Sequence, residues 1–375
     1  MNKLVQITSR DMVAVALQPL QKGETIDYGG GSVTLLQDIP MGHKVALRDI
    51  AQGEPVIKYG FPIGAATEAI PRGGHVHTHN LHTGLSGALD YEYHPARPAL
   101  SGRDGLTFQG YPRKVGRAGI RNELWIIPTV GCVNDIARAL AKDAQQFVGD
   151  GVEGVYAFTH PYGCSQLGGD QDNTRQVLAN LATHPNAGGV LLLGLGCENS
   201  GIDQILPHMG EYDPERFRTL VTQQVEDEHE AGMALIRELV ARMKQDVRTA
   251  CPASELVLGL KCGGSDGLSG ITANPTIGVF SDLLTAMGGS TILTEVPEMF
   301  GAETILMDRC EDEALFDKTV HLINDFKEYF ESYHMPVYEN PSPGNKAGGI
   351  TTLEDKARGC TQKSGSGPEI GRAHV

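Results

Sequence analysis

Hydrophobic and polar positions alternate in two different rhythms along the chain. In residues 1–95 short apolar stretches (MVAVALQPL, GSVTLLQDIP, HKVALRDI, EPVIKYG) are separated by Gly, Pro and Asp turns, with no helical period. This predicts a small β-rich domain, closing at Gly73-Gly74-His75-Val76-His77-Thr78-His79-Asn80. Residues 96–122 are rich in Pro, Gly and Arg and lack a period, which predicts a connector lying against the folded domains. From residue 123 to 368 strands and helices alternate. LWIIPTV, VYAFTH, VLLLGLG, ELVLGLK and TILTEV read as strands; 134–148, 172–184, 278–287 and 311–333 read as helices. Asp213-Pro214-Glu215 is an N-cap with proline at the first helical position. It predicts one amphipathic helix reaching Thr249, about 36 residues and roughly 54 Å long. Apolar strands between helices predict a mostly parallel sheet covered on both faces. The fold class expected is therefore α/β, a small N-terminal β-rich domain followed by a larger α/β domain.

Composition narrows the function. The chain has 375 residues and a formal net charge of −15, which argues against a general nucleic-acid binder but allows a small anionic substrate at a locally positive site. No apolar run approaches the ~18–20 residues that span a bilayer, and the N-terminus has no signal-peptide core. The 7 cysteines are odd in number and none sits in a CxxC pair, so reduced thiols in a cytoplasmic protein are expected. The last seven residues, 369–375, back-translate to a common sequencing-adapter string; they are expected to be an artefact following a gene whose natural end is missing.

Candidate chemistry gathers where strands end. Gly131-Cys132, Pro161-Tyr162-Gly163-Cys164, Cys197-Glu198-Asn199 and Lys261-Cys262-Gly263-Gly264-Ser265-Asp266 each follow a strand, and Glu295 with Glu298 follows another. Ligands of open parallel sheets bind outside such carboxyl ends. The four cysteines at one topological position would ligate iron or line a polar pocket. On an extended strand His75, His77 and His79 would project to one side, as three imidazoles suited to a transition metal or a substrate. His43 and Lys44 add an imidazole and a cation from the same domain. Lys261 could act as a base or anchor a carboxylate, with Asp266, Glu295 and Glu298 as further acid–base groups. The Gly-rich stretches 263–270 and 344–349 could cradle an anion. There is no GxxxxGK[ST], GxGxxG or GxSxG, so neither a nucleotide cofactor nor serine hydrolysis is indicated.

HVHTHN, closing the β-rich domain, resembles the SAF domain of the altronate/galactarate dehydratase family. TVGCVN, THPYGCSQLGGDQDN, GLGCEN, LGLKCGGSDGLSGITANPTIG, TEVPEMFGAE and SPGNKAGGITTLEDKARGC are similar to that family's large domain, in the same order. The resemblance implies a β-clip-like first domain and loss of water from a sugar acid, D-altronate first, to a 2-keto-3-deoxy acid. It also implies ferrous iron, or manganese, as cofactor. On that reading His75, His77 and His79, with Cys132, Cys164, Cys197 and Cys262, hold or flank the metal. Lys261 is the base or anchor, and His160 or Glu295 the acid. His43, Lys44, Asn80, Asn199, Ser265 and Asp266 are the candidate substrate contacts. Galactarate dehydration or loss of sulfite from a sulfonated hydroxy acid are alternatives within the family. A carbohydrate-binding protein without catalysis, or an iron–sulfur protein using three or four of the cysteines, are alternatives outside it. A homo-oligomer is in keeping with a metabolic enzyme, but no residue shows it.

Overall fold

A computed structural model describes residues 2–96, 98–102 and 105–371. The part of the adapter-like tail from 372 onward lies outside the described residues. Within them, Glu369 pairs with Arg309 at 3.0 Å. The described residues divide into two compact units, one of those up to 102 together with 257–371, the other of 105–256. No helix among the described residues is long and apolar enough to cross a membrane.

The first unit begins with the expected β-rich domain. A four-stranded antiparallel sheet runs Leu4–Val5, Val13–Ala16, Lys44–Ala46, His75–Val76 in spatial order, and a three-stranded sheet runs Pro55–Lys58, Phe61–Ala66, Leu81–His82. Its strands are short because turns interrupt them, and their apolar residues fill two small cores around Leu20 and Val45 and around Ile63 and Val76. The pairing Val45↔His75 brings the segment after Gly42 beside the histidine segment. The unit is completed by Val257–Leu260 and Ser290–Leu293, a two-stranded parallel sheet joined through helix Ala273–Ala286, and by the later helices. Among these are Glu313–Ser332, Pro343–Ala347 and Leu353–Cys360.

The second unit holds a parallel sheet with strand order Gly154–Ala157, Glu123–Pro128, Ala187–Gly194, Phe217–Val221. Period-2 alternation works on both faces. Leu124 and Ile126 pack with Leu140 of helix Asn134–Ala144 and Ile236 of helix Glu228–Met243. Trp125 and Ile127 pack on the opposite face with Leu178 of helix Gly168–Ala182. All eight residues of Ala187–Gly194 are buried, as a strand covered on both faces requires.

Two expectations are corrected. The single helix from Asp213 to Thr249 does not form. Asp213 does accept a hydrogen bond from Glu215 N–H, but it caps only the turn Pro214–Arg216. Phe217–Val221 then adds to the edge of Ala187–Gly194, because aromatic and β-branched residues suit an edge strand and gain its backbone hydrogen bonds. A second cap, Asp227, starts the real helix Glu228–Met243. The five strand ends also do not share one sheet. The strand before Cys262 belongs to the two-stranded sheet of the first unit, whereas those before Cys132, Cys164 and Cys197 belong to the second unit.

Candidate metal centre

His43, His75 and His77 converge in the first unit. Each offers a ring nitrogen within 4.8 Å of the others, and among the described residues no other group of three His, Cys, Asp or Glu side chains does so. The ring centroids of His43 lie 5.1 Å from His75 and 4.6 Å from His77. His43 is buried; His75 and His77 are partly exposed, so the cluster is reachable from solvent.

The segment carrying His77 is not a strand. Only His75–Val76 is extended. Asn80 then closes a turn: its Oδ1 accepts His77 N–H at 2.9 Å, and its Nδ2 donates to His75 O at 2.9 Å. The turn, rather than strand alternation, brings His75 and His77 together, and it leaves His79 exposed and outside the group. His43 takes the third place instead. Asn80 is thus a buried brace of this turn. Asn80→Ala removes both bonds and is expected to cost about 1–3 kcal/mol, read as a lower urea midpoint.

The ring state of His43 is set by backbone. Its Nε2 lies 3.0 Å from Ala347 O, which can only accept, so Nε2 carries the proton and Nδ1 presents a lone pair to His75 Nε2, 2.9 Å away. A ligating imidazole whose other N–H donates to a backbone carbonyl is a common metal-site arrangement. Metal–nitrogen bonds of about 2.0–2.1 Å place two adjacent ligand nitrogens roughly 3 Å apart, which this separation matches. His77 Nδ1 is buried with no hydrogen-bond partner, an orphan that a cation would satisfy. The three residues therefore fit a divalent transition metal.

The carbonyl reaches His43 through a junction of glycines. A side chain at Gly42 (φ +82°) would meet Gly348 O at 2.7 Å, and Gly267 N–H donates to Gly348 O at 2.7 Å. The Gly-rich stretches thus pack backbone on backbone beneath His43. Below them Lys44 and Lys58, both fully buried, each place Nζ 2.8 Å from a carboxylate oxygen of Asp355. Lys44 also donates to Gly349 O at 2.7 Å, so in this structure its ammonium is held by partners inside the protein. The two ammonium groups hold the Asp355 carboxyl well below the usual carboxylate range against its burial. Asp355 lies in the TTLEDKARGC stretch and carried no signal of its own, because its partners are some 300 residues away.

Burial, reinforced by neighbouring cations and histidines, pushes His75 down to about 3 and His77 down to about 4 from an ordinary 6.5. Both are neutral, and so ligand-competent, near pH 7. The unfolded chain binds these protons below pH 6.5 while the folded chain refuses them until pH 4 and below. Stability from these groups is then complete above about pH 6.5 and is lost as pH falls from there toward pH 4. Urea midpoints measured from about pH 7 to about pH 5 are expected to decline steadily; a flat series would contradict this.

The other candidates are not members of the histidine group. Lys261 is exposed immediately after Val257–Leu260. Glu295 follows Ser290–Leu293, and the pairing Leu260↔Leu293 puts both at one sheet end. Glu295 has φ +69°, a strained setting for a non-glycine, and its Oε2 accepts Cys262 N–H at 2.7 Å. Ser265 is buried with Oγ 2.7 Å from Cys262 Sγ, and exposed Asp266 closes its own turn by accepting Ser269 N–H at 2.8 Å. His160 lies in the second unit. Its Nδ1 accepts Tyr162 N–H at 3.2 Å and its Nε2 lies 2.7 Å from Pro128 O, so both ring nitrogens serve the backbone. Asn199 is exposed there, its Oδ1 3.5 Å from Ser165 N.

Comparison with known proteins covers nearly the whole chain. Profiles described as the altronate/galactarate dehydratase SAF domain, the D-galactarate dehydratase/altronate hydrolase second domain and the D-galactarate/altronate dehydratase C-terminal domain match residues 2–84, 110–244 and 253–371. The altronate dehydratase of Bacillus subtilis (strain 168) is 52% identical over 371 residues, 98% of this chain and 75% of that protein. That of Escherichia coli (strain K12) is 53% identical over 365 residues, 96% of this chain and 74% of that protein. The galactarate dehydratase (L-threo-forming) of E. coli is 31% identical over 391 residues, covering 96% of this chain and 72% of that one. With every profile in order and half of all residues shared with two relatives, the chain belongs to the altronate/galactarate dehydratase family.

Proposed function

We propose that this protein is a metal-dependent hydro-lyase converting D-altronate to 2-dehydro-3-deoxy-D-gluconate, a step in hexuronate breakdown. The two relatives at 52% and 53% identity carry the substrate, against 31% for the galactarate enzyme. The convergence of His43, His75 and His77 carries the metal. We take the ion to be ferrous iron, with manganese as the alternative, since neutral imidazoles with open positions suit both. A cytoplasmic setting accords with seven free cysteines.

The chemistry asks for little machinery. The C2 proton lies alpha to a carboxylate, and its removal builds negative charge on the carboxylate oxygens. A divalent cation on the three histidines supplies Lewis-acid stabilisation of that charge. Ala347 O keeps His43 in one tautomer, Asn80 keeps the His75–His77 turn closed, and Lys44 with Asp355 holds the loop beneath. Lys261, on the exposed strand end, either takes the C2 proton as amine or anchors the carboxylate as ammonium. Glu295 beside it is the candidate for protonating the departing C3 hydroxyl, since both nitrogens of His160 are committed. Lys261→Ala is expected to lower kcat/KM by about 10²–10⁴-fold with the fold intact, because the side chain is exposed.

The substrate is tested by offering altronate, galactarate and sulfolactate to the iron-loaded protein. Keto-acid formation from altronate with at most weak turnover of the others is expected. Preference for galactarate, or sulfite release from sulfolactate, would overturn the assignment.

A further inference from the structure

A closed circuit of polar side chains runs through the first unit, outside the histidine group. Lys356 is buried, with Nζ 2.6 Å from Glu298 Oε1, and it donates to Asn340 Oδ1 at 3.0 Å and to Asn345 Oδ1 at 3.1 Å. Asn345 Nδ2 in turn donates to Ser265 O at 2.8 Å. Three residues before Ser265, Cys262 N–H donates to Glu295 Oε2, and Glu295 O accepts Glu298 N–H at 2.8 Å, which returns the circuit to Lys356. The stretch Cys262–Ser265, immediately after Lys261, is thereby fastened at both ends.

Asn345 also belongs to the metal centre's support. It is the third residue of helix Pro343–Ala347 and closes a capping box with Ser342: its Oδ1 accepts Ser342 N–H at 3.2 Å, and its N–H donates to Ser342 Oγ at 3.4 Å. Two residues on, Ala347 ends that helix. A carbonyl at a helix end has no intrahelical donor, so Ala347 O is free to accept the His43 Nε2 proton at 3.0 Å. The orientation of the Asn345 amide follows from its neighbours. Its oxygen faces an ammonium and an N–H, and its nitrogen faces a carbonyl; the reverse would set donor on donor and acceptor on acceptor. The backbone bond from Gly267 N–H to Gly348 O, at 2.7 Å, fixes only the far side of the loop, beyond Asp266. One side chain thus holds both the helix that supports His43 and the loop that follows Lys261.

We propose that Asn345 is a positioning residue of the dehydration, keeping His43 aimed at the metal through Ala347 and the Cys262–Ser265 stretch beside Lys261 in one conformation through Ser265. Lys356 backs it by holding the amide oxygen and, through Glu298, the turn that carries Glu295. The inference rests on the metal-dependent function proposed above, but both of its effects are read without substrate.

The test uses the whole protein and the variant Asn345→Leu, which leaves Lys356 with Glu298 and Asn340 and so strands no buried charge. Cobalt(II) is titrated into the metal-free protein and followed by visible absorption. Separately, the rate of Cys262 alkylation by iodoacetamide is read by peptide mass mapping. Cys262 is partly exposed, whereas Cys310, in the same unit, is buried and serves as the control for general loosening. Asn345→Leu should bind cobalt about 10–100-fold more weakly, as removal of an outer-shell partner does. Its Cys262 should react several-fold faster, with Cys310 as slow as in the wild type. Asn345→Asp keeps an oxygen for Ser342 and Lys356 but cannot donate to Ser265 O. It should hold cobalt within a few-fold of the wild type while Cys262 reacts as fast as in Asn345→Leu. Wild-type cobalt affinity or a wild-type Cys262 rate in Asn345→Leu would overturn the proposal, and so would equal acceleration of Cys310, which would mark a role in general stability alone. A wild-type protein that takes up no cobalt would contradict the histidine centre itself, and the proposal with it; the wild-type titration separates that failure from the others.

Discussion

Asp355→Ala is expected to destabilise the protein by about 3–5 kcal/mol, because it strands two ammonium groups in the interior. Lys44 and Lys58 have no exposed surface through which to recover hydration, and Asp355 is the one carboxylate between them, at 2.8 Å from each. The same carboxylate also accepts Thr351 N–H and Oγ1–H, which start the helix Leu353–Cys360. A urea titration reads the loss. Combining Lys44→Met, Lys58→Met and Asp355→Leu should regain a large part of it, since an apolar replacement leaves no buried charge without a partner. A loss under about 1 kcal/mol for Asp355→Ala would mean that the lysines find water or another partner.

His77→Ala should lower divalent-metal affinity by more than the about 10–100-fold that removal of an outer-shell partner costs, because it deletes a ligand. Its Nδ1 is buried without a partner, so the substitution breaks no hydrogen bond of that atom, and the urea midpoint of the metal-free protein should move little. Metal content after dialysis against ferrous iron, with altronate turnover alongside, measures the effect. Wild-type metal content in the variant would remove His77 from the centre. His79→Ala, at an exposed position outside the group, should leave metal content unchanged.

The regular elements were legible because their periods are local. Alternation in Leu124, Trp125, Ile126 and Ile127 reports a sheet buried on both faces, and the turn residues before His75 report the end of a β-rich domain. Phe217–Val221 was hidden because it lies between two helix-starting aspartates, Asp213 and Asp227. Only the free edge of Ala187–Gly194 decides that the residues between them extend.

The histidine centre was half legible. The close spacing of His75 and His77 drew attention to them, but the turn made by Asn80, rather than a strand, selects them over His79. The third ligand, His43, comes from a strand pairing 30 residues upstream of His75 (Val45↔His75), and the carbonyl that fixes its tautomer from Ala347. Neither leaves a local pattern. Asp355 shows the same limit more strongly. One carboxylate in a helix of mixed charge looks like any solvated acid until the fold delivers two lysines to it.

The most direct test of the account is turnover of D-altronate by metal-free protein as ferrous iron is added under anaerobic conditions. Keto acid should be absent without metal and should rise to saturation as one ion per histidine centre is bound, while His77→Ala stays inactive at the same iron concentration. Equal keto-acid formation in the metal-free protein, or undiminished turnover by His77→Ala, would contradict a dehydration that depends on a metal held by His43, His75 and His77.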